Sequence, residues 1–455
     1  MINFEQFAKY SKPGPRYTSY PTAPEFNESF DAKRYVEILE NMDKNRKLSL
    51  YFHLPFCRSA CYFCGCNVVF TSKEDKKERY ISYLEKELEL LCQHLDMSRE
   101  VLQMHFGGGT PTFFSAEQLQ RIIALIKKYF KNWSNEAEIS CEIDPRFLTK
   151  EQVDVLVKGG FNRVSFGVQD FNEEVQKAVH RIQPYEVTKN AVDMVRNAGI
   201  KSVNMDLIYG LPYQSFESFK ATLEKALSLD TDRFAVFNYA HVPWMKKTMR
   251  KIDETTLPHP SEKLSIMKYT IDYLTSHGLA MIGMDHFAKP NDELFLAIEK
   301  GELHRNFQGY TTKGGTDLIG IGLTSIGEGV AHYVQNFKDM SDYEAALDNG
   351  VLPVHRGLEL SADDVLRKAV IMEMMSNFKL NITKIESEFK IDFFEYFKDA
   401  IEELKTFEEE GLVQVERDKI TVSATGTLLI RNIVMPFDAY LKKIPEAKRR
   451  FSKTV

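Results

Sequence analysis

Four of the six cysteines lie in one short segment, HLPFCRSACYFCGC, as Cys57, Cys61, Cys64 and Cys66. Thiolates at such short intervals are soft ligands that suit a transition metal or an iron–sulfur cluster. A structural zinc site usually combines two ligand pairs separated by about a dozen or more residues, and no second pair follows in this chain. The spacing therefore favours a [4Fe–4S] cluster, with zinc and a disulfide-bearing loop as the alternatives.

The order of these cysteines is similar to the cluster loop of the radical S-adenosylmethionine (SAM) superfamily. Cys57, Cys61 and Cys64 follow the pattern CxxxCxxC, and an aromatic residue, Phe63, precedes the third cysteine. The resemblance implies that these three cysteines bind three irons of a [4Fe–4S] cluster and that the fourth iron binds SAM. It also implies radical chemistry through 5′-deoxyadenosyl, which belongs to the cofactor, while the protein positions it and excludes water and oxygen.

The composition is that of an ordinary globular protein and narrows the classes of partner. Of 455 residues, 43% are hydrophobic and 27% charged, and the formal net charge of −6 comes from interspersed signs, so no basic surface for nucleic acid is expected. No apolar run reaches the roughly 20 residues that a membrane span needs, and the first residues lack a secretory apolar stretch. We therefore expect a cytoplasmic protein without a membrane span, in which the cysteines stay reduced.

The elements that must hold the cysteine loop alternate between strands and helices. Strand-like runs are separated by helical stripes such as Tyr80, Leu84, Leu88 and Leu91, and this alternation is typical of a parallel sheet covered by helices. The predicted strands cover residues 48–53, 101–106, 138–143, 162–169, 201–208, 233–240 and 280–286.

The two faces of these strands differ, which predicts a polar interior. In most of them apolar residues alternate with small or polar ones, whereas a parallel strand buried on both faces reads as a continuous apolar run. Helices on the apolar side would leave the polar sides facing a common cavity, unlike the filled interior of a closed barrel. We predict the α/β class: an open, partial parallel β/α barrel of about six strand–helix units. The alternative is an antiparallel sheet with one wet face, which the intervening helices disfavour.

Several residues near the ends of predicted strands are candidates for binding. The run from Gly107 to Thr110 follows a strand, and its missing side chains allow a ligand to approach the backbone. Glu142, Gln169 and Asp206 lie on polar faces at or near carboxyl ends of strands, where barrel enzymes carry functional groups. For each of them the alternative is an internal hydrogen-bonding role.

Three further residues have plainer interpretations. Arg181 lies outside any apolar period, so an ordinary surface charge is its alternative role. Cys92 falls on a helix and Cys141 on the apolar face of a strand, and we interpret both as packing residues.

Three regions are predicted along the chain. Residues 1–45, rich in proline near their middle, form an N-terminal arm, and residues 46–355 form the barrel domain. Residues 356–455 form a smaller, mostly helical domain, with helical stripes near 361–376 and 391–411, a hairpin over 413–423 and a final helix after Gly426.

Longer motifs resemble one family far more closely than the superfamily as a whole, the oxygen-independent coproporphyrinogen III oxidases of bacterial haem biosynthesis. The matching segments are PGPRYTSYPT at 13–22, YFHLPFCRSACYFCGCN at 51–67, HFGGGTPT at 105–112, CEIDPR at 141–146, FGVQDFN at 166–172, NMDLIYGLP at 204–212, FNYAHVP at 237–243, GMDHFA at 283–288, HRNFQGYTTKGGTDL at 304–318 and ATGTLLIRNIVMPFDAYL at 424–441. They run almost from end to end of the chain. One departure is VMPF at 434–437, where some relatives have cysteines; it lies far from the cysteine loop.

The resemblance implies a set of site residues beside the cluster ligands Cys57, Cys61 and Cys64. Cys66 matches a fourth cysteine that neighbours the cluster without binding it, and we assign it a catalytic role. A first SAM on the cluster is expected to meet Tyr51, Gly108, Glu142 and Ile326. A second SAM is expected to meet Phe63, Gly109, Thr110, Gln169, Arg181, Asp206 and Ala240.

The reaction implied is the oxidative decarboxylation of two propionate side chains of coproporphyrinogen III to vinyl groups, giving protoporphyrinogen IX. It needs a reductant such as flavodoxin or ferredoxin and an electron acceptor that the sequence does not identify, and a monomer is expected. The substrate carries four carboxylates, so we expect cationic partners for them. Arg16, Arg305 and Arg431 lie in matching motifs and are the candidates, with surface solvation as their alternative.

Two other functions compete with this one. The first is a haem-binding or haem-trafficking paralogue of the same superfamily, which usually lacks the CGC ending and the PGPRYTSYPT arm that this chain has. The second is a ferredoxin-like electron carrier in which Cys66 would be the fourth ligand; the glycine-rich strand end and the size of the barrel disfavour it.

Overall fold

The structure is a computed structural model that describes residues 7–445, 451–452 and 454. It divides into two compact units. We call residues 26–270 with 315–359 the sheet unit, and residues 1–25, 271–314 and 360–455 the helical unit. The boundaries at residues 45 and 355 that the sequence suggests stay a prediction.

The strands are β1 Leu48–Leu54, β2 Phe56–Cys57, β3 Val69–Phe70, β4 Val101–Gly108, β5 Trp133–Ile143, β6 Arg163–Gln169, β7 Ser202–Tyr209, β8 Arg233–Asn238, β9 Ala280–Met281, β10 His286–Ala288, β11 His304–Asn306, β12 Gly309–Thr311, β13 Asp317–Ile321, β14 Ile326–Glu328, β15 His332–Asn336, β16 Val354–Glu359, β17 Lys379–Asn381, β18 Val413–Val415 and β19 Lys419–Val422.

The helices are α1 Phe7–Tyr10, α2 Ala32–Glu40, α3 Glu74–Leu91, α4 Ala116–Tyr129, α5 Lys150–Gly159, α6 Glu173–Ala178, α7 Tyr185–Asn197, α8 Phe216–Leu227, α9 Pro260–Ser276, α10 Glu293–Lys300, α11 Met340–Asp348, α12 Ala362–Asn377, α13 Ile382–Phe389, α14 Phe393–Tyr396, α15 Lys398–Glu409, α16 Ala424–Leu428, α17 Ile430–Val434 and α18 Ala439–Lys442. In the part of the chain that is described, none of them is long and apolar enough to cross a membrane.

The sheet unit is built on a parallel sheet with the strand order β13-β1-β4-β5-β6-β7-β8. Strands β1 and β4 to β8 are joined by helical crossovers, as parallel neighbours require, and β13 returns to pair with β1 in parallel. The predicted α/β class and its six strand–helix units are therefore confirmed. The sequence did not predict the antiparallel extension β14-β15-β16 beside β13, because these short strands carry little alternation of their own.

The alternation of side chains along the strands positions the site. In β6 and β7 every second residue is buried, and the residues between them are half-buried. The helices start where the sequence offers caps: Ser115, Thr149 and Ser215 each form a capping box at the start of α4, α5 and α8. One face of the sheet is thus packed, and the polar side chains of the other face remain available.

The strands of the helical unit have two to four residues each. The predicted strand over 280–286 is wrong: the chain forms β9 and β10, which pair antiparallel, and Ile282 N–H donates to His286 O at 2.9 Å as the segment reverses. The predicted hairpin is present as β18 and β19, with β17 as an unpredicted third strand. The single final helix is also wrong, because α16, α17 and α18 replace it.

The described part of the N-terminal segment is held inside the helical unit rather than lying on its surface. Tyr17 and Tyr20 are fully buried, and Tyr17 OH donates to Asp438 Oδ2 at 2.9 Å. The Tyr20 hydroxyl accepts a hydrogen bond from Ala439 N–H at 3.1 Å. These aromatic residues attach the proline-rich motif to the start of α18.

Candidate active site

The cysteine loop follows β1 and is fixed at both ends by backbone hydrogen bonds. Strands β2 and β3 pair in parallel on either side of it, and Thr71 N–H donates to Cys57 O at 3.2 Å. Gly109 N–H donates to Leu54 O, and Thr110 N–H donates to Phe56 O, both at 2.9 Å. The carboxyl ends of β1 and β4 therefore hold the base of the loop.

Two glycines of the GGG run are explained by close packing at this junction. A Cβ on Gly109 would lie 2.7 Å from Pro55 O, and Gly108 has φ +113° with its Cβ position 2.8 Å from the His53 ring. The sequence suggested that these glycines admit a ligand. In the structure these glycines allow the end of β4 to approach the cysteine loop closely.

The first three cysteines are free thiols whose neighbours favour a negatively charged sulfur. Cys57, Cys61 and Cys64 are half-buried, and Cys57 Sγ lies 3.3 Å from the Thr110 hydroxyl. Arg181 and Arg146 direct guanidinium N–H groups at Cys61 Sγ, over 3.6 and 3.9 Å. Burial raises the pKa of Cys57 to about 12, so this thiol needs a metal or cluster to hold it as thiolate.

Cys66 is exposed and interacts with the neighbouring sulfur of Cys64. Its backbone N–H donates to Cys64 Sγ over 3.4 Å. The hydrogen bond between the two thiols lowers the pKa of Cys64 to about 6 and raises that of Cys66 above its ordinary value. Cys64 is thus the sulfur favoured as thiolate, and Cys66 stands beside it as its donor.

The donor set fits an iron–sulfur cluster. The three thiols lie on one loop, none is in a disulfide, and two arginines balance the charge that thiolates would add. Within residues 7–445, 451–452 and 454, no three Cys, His, Asp or Glu side chains converge as the ligands of one metal ion would. In a [4Fe–4S] cluster each of the three thiolates would bind a different iron.

A first polar group lies on the open face of β1, β4 and β5. The rings of Tyr51 and His105 are stacked with centroids 5.9 Å apart, and His105 Nε2 lies 3.3 Å from Glu142 Oε1. Gly108 N–H donates to Glu142 Oε2 at 3.3 Å. Burial acts to raise the pKa of Glu142, but these hydrogen bonds outweigh it and the pKa lies below its ordinary value. Glu142 is therefore a carboxylate, and its side chain is still 47% exposed.

Ile326 joins this first group through the sheet register. Tyr51 pairs with Gly320 on β13, and a Cβ on Gly320 would lie 2.7 Å from the backbone of Ile326 on β14. The structure thus brings together Tyr51, Gly108, Glu142 and Ile326, the four residues expected around the first SAM.

A second polar group lies on β6 and β7. Ser165 Oγ donates to Asp206 Oδ2 at 2.9 Å, and Asn204 Nδ2 donates to Asp206 Oδ1 at 2.8 Å. Gln169 ends β6 at a register irregularity, with φ 73°, a conformation unusual for a residue with a side chain. That bend marks the point where β6 leaves the sheet.

Arg181 links the second group to the cysteine loop. Its guanidinium donates to Gly167 O at 2.6 Å and to Asp144 Oδ2 at 3.1 Å, besides the contact with Cys61. Asp144 is buried, which acts to raise its pKa, but Arg181 and Arg146 outweigh burial and hold that pKa below its usual range. Arg181 is buried and is no surface charge, so that alternative is excluded.

Phe63 and Ala240 have apolar surroundings. Phe63 and its neighbour Tyr62 pack against an apolar cluster of α6 and β8 neighbours that includes Val175, Val179 and Tyr239. Ala240 follows Tyr239 and is half-buried. Cys141 is fully buried, and its thiol donates to the backbone oxygen of Glu142 at 3.4 Å, whereas Cys92 is half-buried at the end of α3.

Sequence reasoning missed four polar residues of this site. His53 and His105 lie in predicted strands and join the first group, whereas Asp144 and Arg146 follow β5 within the motif CEIDPR. Burial lowers the pKa of His53 to about 4, so its ring is neutral, with Nδ1 3.0 Å from Tyr51 OH. The available signal for His53 and His105 was their polar character on the same strand face as Tyr51 and Glu142.

The three arginines proposed for substrate carboxylates lie in the helical unit. Arg431 is only 8% exposed and donates to the carbonyl oxygens of Gly14 and Pro15, the latter at 2.8 Å. Arg305 donates to Tyr310 OH at 3.1 Å, and Arg16 is exposed. Arg431 thus has a packing role, and surface solvation does not describe it.

The chain matches two family models. Residues 51–226 match the radical SAM superfamily, and residues 360–429 match the HemN C-terminal domain. The first range contains the cysteine loop and both polar groups of the site up to Asp206.

Full-length relatives share a name. The chain is 58% identical over its whole length to the oxygen-independent coproporphyrinogen III oxidase of Helicobacter pylori strain J99, covering 99% of that protein. It is 44% identical to the protein of the same name from Escherichia coli K12, over 98% of this chain and 97% of the relative. The solved structure of coproporphyrinogen III oxidase (HemN) from Escherichia coli, described as a radical SAM enzyme, superposes with a TM-score of 0.92 at 43% identity, over 96% of this chain and 99% of that one.

Proposed function

Because this chain belongs to the oxygen-independent coproporphyrinogen III oxidases of the radical SAM superfamily, we propose that its cysteine loop and the two polar groups beside it form the active site for that reaction. The chain is an oxidoreductase of porphyrin and haem biosynthesis that uses a [4Fe–4S] cluster and SAM. Its substrate is coproporphyrinogen III, two propionates of which are decarboxylated to the vinyl groups of protoporphyrinogen IX.

One observation carries the assignment of the site. Three free thiols in the order CxxxCxxC lie beside Arg181 and Arg146, in a chain whose relatives of the same name match it from end to end. An electron carrier would need neither polar group on the sheet, and no comparison favours it or a haem-trafficking paralogue.

The cluster ligands in this proposal are Cys57, Cys61 and Cys64. When bound, the cluster and SAM supply a 5′-deoxyadenosyl radical that takes a hydrogen atom from the propionate carbon attached to the pyrrole ring. Thr110 and the two arginines stabilise the thiolates, since each presents a donor to a sulfur. Cys66 is the proposed catalytic residue beside the cluster: it is exposed, its backbone N–H reaches Cys64, and its thiol remains free.

Glu142 is the proposed partner of the amino group of the first SAM. A carboxylate with two protein partners, His105 Nε2 and Gly108 N–H, and nearly half of its surface accessible can accept further hydrogen bonds from an ammonium group. Tyr51 and the backbone of Gly108 and Ile326 would surround the rest of that molecule. The His53 and His105 rings hold Tyr51 and Glu142 in place from behind.

The second SAM is proposed to lie between the loop and strands β6 to β8. Asp206 carries the carboxylate suited to ribose hydroxyls, and Arg181 the cation suited to a carboxylate. The proposed contacts are Phe63, Gly109, Thr110, Gln169, Arg181, Asp206 and Ala240. Arg181 already donates to four protein groups, Gln183, Cys61, Asp144 and Gly167, so its role would include fixing Cys61.

The remaining partners are proposals as well. We infer that flavodoxin or ferredoxin reduces the cluster, that an acceptor takes one electron for each carbon dioxide released, and that the protein works as a monomer. All six cysteines are free thiols, which supports a reducing, cytoplasmic location.

An anaerobic assay tests the function and the site together. The reconstituted protein, given coproporphyrinogen III, SAM and dithionite, is expected to release vinyl product and 5′-deoxyadenosine. Cys64→Ser is expected to abolish both products, whereas Cys92→Ser, the same change outside the site, is expected to retain them. Full turnover by Cys64→Ser, or 5′-deoxyadenosine without any porphyrin product from the unaltered protein, would contradict the proposal.

A further inference from the structure

Two lysines of the sheet unit contact the end of the cysteine loop. Lys246 Nζ donates to Cys66 O at 3.0 Å, and Asn67 Nδ2 donates to Lys338 O at 3.1 Å. Lys246 comes from the segment after β8 and Lys338 from the segment after β15. The Lys246 side chain and the Lys338 backbone, from distant parts of the chain, thus contact Cys66 and Asn67 at the end of the cysteine loop.

The third cation, Arg356, lies on β16. Its Nε donates to Gln335 Oε1 at 2.8 Å, and its guanidinium lies 5.7 Å from the centroid of the Phe26 ring. Burial, together with the charges of Arg356 and Lys246, lowers the pKa of Lys338, which places the three charges in one electrostatic group. We call Lys246, Lys338 and Arg356 the cation triplet.

The cation triplet has no counter-charge of its own. Among the described residues, no carboxylate lies within 4 Å of any of the three side-chain cations, and their hydrogen-bond partners are a carbonyl and an amide. Glu28 is the acid that acts on Arg356, and it is 77% exposed and lies 3.9 Å from His355. Grouped like charges raise the free energy of the fold, so an arrangement of this kind indicates an anionic ligand.

The apolar surroundings indicate the size of that ligand. Trp244 and Met245 immediately precede Lys246 and are 62% and 66% exposed. Lys246 and Arg356 are half-buried. The carboxylate of a small ligand can reach half-buried cations more readily than the flat surface of a protein can. A ligand with an apolar ring system and several carboxylates fits both features.

We propose that Lys246, Lys338 and Arg356 bind propionate carboxylates of coproporphyrinogen III, beside the exposed Trp244 and Met245. This inference rests on the proposed function and adds the residues that recognise the substrate. Arg356 offers a planar fork for a bidentate contact with a carboxylate, and the lysines act as point charges.

Equilibrium binding tests the inference with the cluster-loaded protein under anaerobic conditions. Two probes are used. The first is coproporphyrin III, the oxidised and fluorescent form of the substrate, and the second is its tetramethyl ester, which has no charged carboxylates. Lys338→Gln and Arg356→Gln are each expected to weaken coproporphyrin III binding about tenfold or more, because each removes a charge-assisted hydrogen bond. Lys158→Gln, the same change on the exposed surface of α5, is the matched control and is expected to bind like the unaltered protein.

The ester separates a direct contact from an indirect one. The unaltered protein is expected to bind the ester much more weakly than the acid, whereas the Lys338→Gln, Arg356→Gln double variant is expected to discriminate little between them. Iron content and melting temperature show that the variants are folded. Equal affinity of variants and unaltered protein for coproporphyrin III would overturn the inference.

Two further outcomes also decide the matter. If the variants bind the porphyrin normally but accept electrons from flavodoxin slowly while dithionite reduces them at the usual rate, the triplet is a docking site for the reductant, and the inference is wrong. If the unaltered protein binds neither porphyrin nor porphyrinogen, the proposed function itself fails first, and this result is distinct from a loss seen only in the variants.

Discussion

Glu87, on α3, is expected to make the stability of the sheet unit depend on pH. Its carboxyl group is buried, and its oxygens accept hydrogen bonds from Asn336 Nδ2 at 2.6 Å, Tyr343 OH at 2.6 Å and Gly322 N–H at 2.8 Å. Burial raises the pKa of Glu87 from 4.5 to about 7, although all three hydrogen bonds act to lower it. The group fixes the turn between β13 and β14, which leads to Ile326.

The magnitude follows from linkage. Below pH 4.5 Glu87 is protonated in both the folded and the unfolded chain, so its full contribution to stability is present there. As the pH rises towards about 7, the unfolded chain releases the proton and the folded chain retains it, so the free energy of unfolding falls. A difference of about 2.5 pH units corresponds to a loss of about 3 kcal/mol across this window.

Urea unfolding of the iron-free chain between pH 4.5 and 8 measures this loss, with Glu87→Gln as the variant. Gln cannot ionise, and its amide adds a donor facing Asn336, so a constant penalty is expected at every pH. The difference in unfolding free energy between the variant and the unaltered chain is therefore expected to shift by about 3 kcal/mol in favour of the variant as the pH rises. Glu217→Gln, at an exposed position on α8, is the matched control and is expected to give a constant difference.

A constant difference for Glu87→Gln as well would refute the reasoning. It would mean that the three hydrogen bonds cancel the effect of burial, so that Glu87 has the same pKa in the folded and the unfolded chain. A slope of the opposite sign would mean that the folded protein holds the carboxylate more tightly than the unfolded chain does.

Three further predictions concern the site and the helical unit. Cys66→Ser is expected to retain near-complete iron and sulfide after anaerobic reconstitution. The variants expected to lose the cluster are Cys57→Ser, Cys61→Ser and Cys64→Ser. A loss of iron and sulfide in Cys66→Ser would make Cys66 a ligand. Glu142→Gln is expected to weaken SAM binding about tenfold, measured by equilibrium dialysis, with an unchanged melting temperature, because its side chain is half-exposed; normal SAM binding with a lowered melting temperature would indicate a structural role instead. Arg431→Met is expected to destabilise the protein by about 2–4 kcal/mol in urea unfolding, since two buried carbonyls lose their charged donor; unchanged stability would show that water replaces it.

The sheet was predictable where the pattern is local. Strands β1 and β4 to β8 alternate in polarity and are separated by amphipathic helices, so each could be assigned from its own residues. Strand β13 lies far along the chain from β1, its partner, and the pairing depends on contacts that no local period reveals. The prediction of one strand over 280–286 was wrong for a related reason. An apolar run has the same pattern whether it continues straight or reverses, as it does between β9 and β10.

The site was predictable where its residues lie on strand faces. Glu142 and Asp206 were identified because they lie on the polar faces of alternating strands, at or near the carboxyl ends. Asp144 and Arg146 were not, because they lie just beyond β5, where no period assigns a face. For the same reason the sequence left an ordinary surface charge as the alternative role of Arg181. Only the fold brings this residue to Cys61.

The cysteine loop depends on the residues at the strand ends and on the polar residues that lie beyond the strands. Its base is fixed by backbone hydrogen bonds to the ends of β1 and β4, which leaves all four thiols without a structural task. The groups that do reach the sulfurs are a hydroxyl, an N–H and two guanidiniums, all of them donors. Hydrogen-bond donors stabilise thiolates. None of these groups is a metal ligand while it donates, so none of them takes the place of a thiolate on iron. The loop is therefore rigid at its base and electrostatically prepared at its sulfurs, and a substitution such as Arg146→Met is expected to slow cluster uptake without unfolding the sheet.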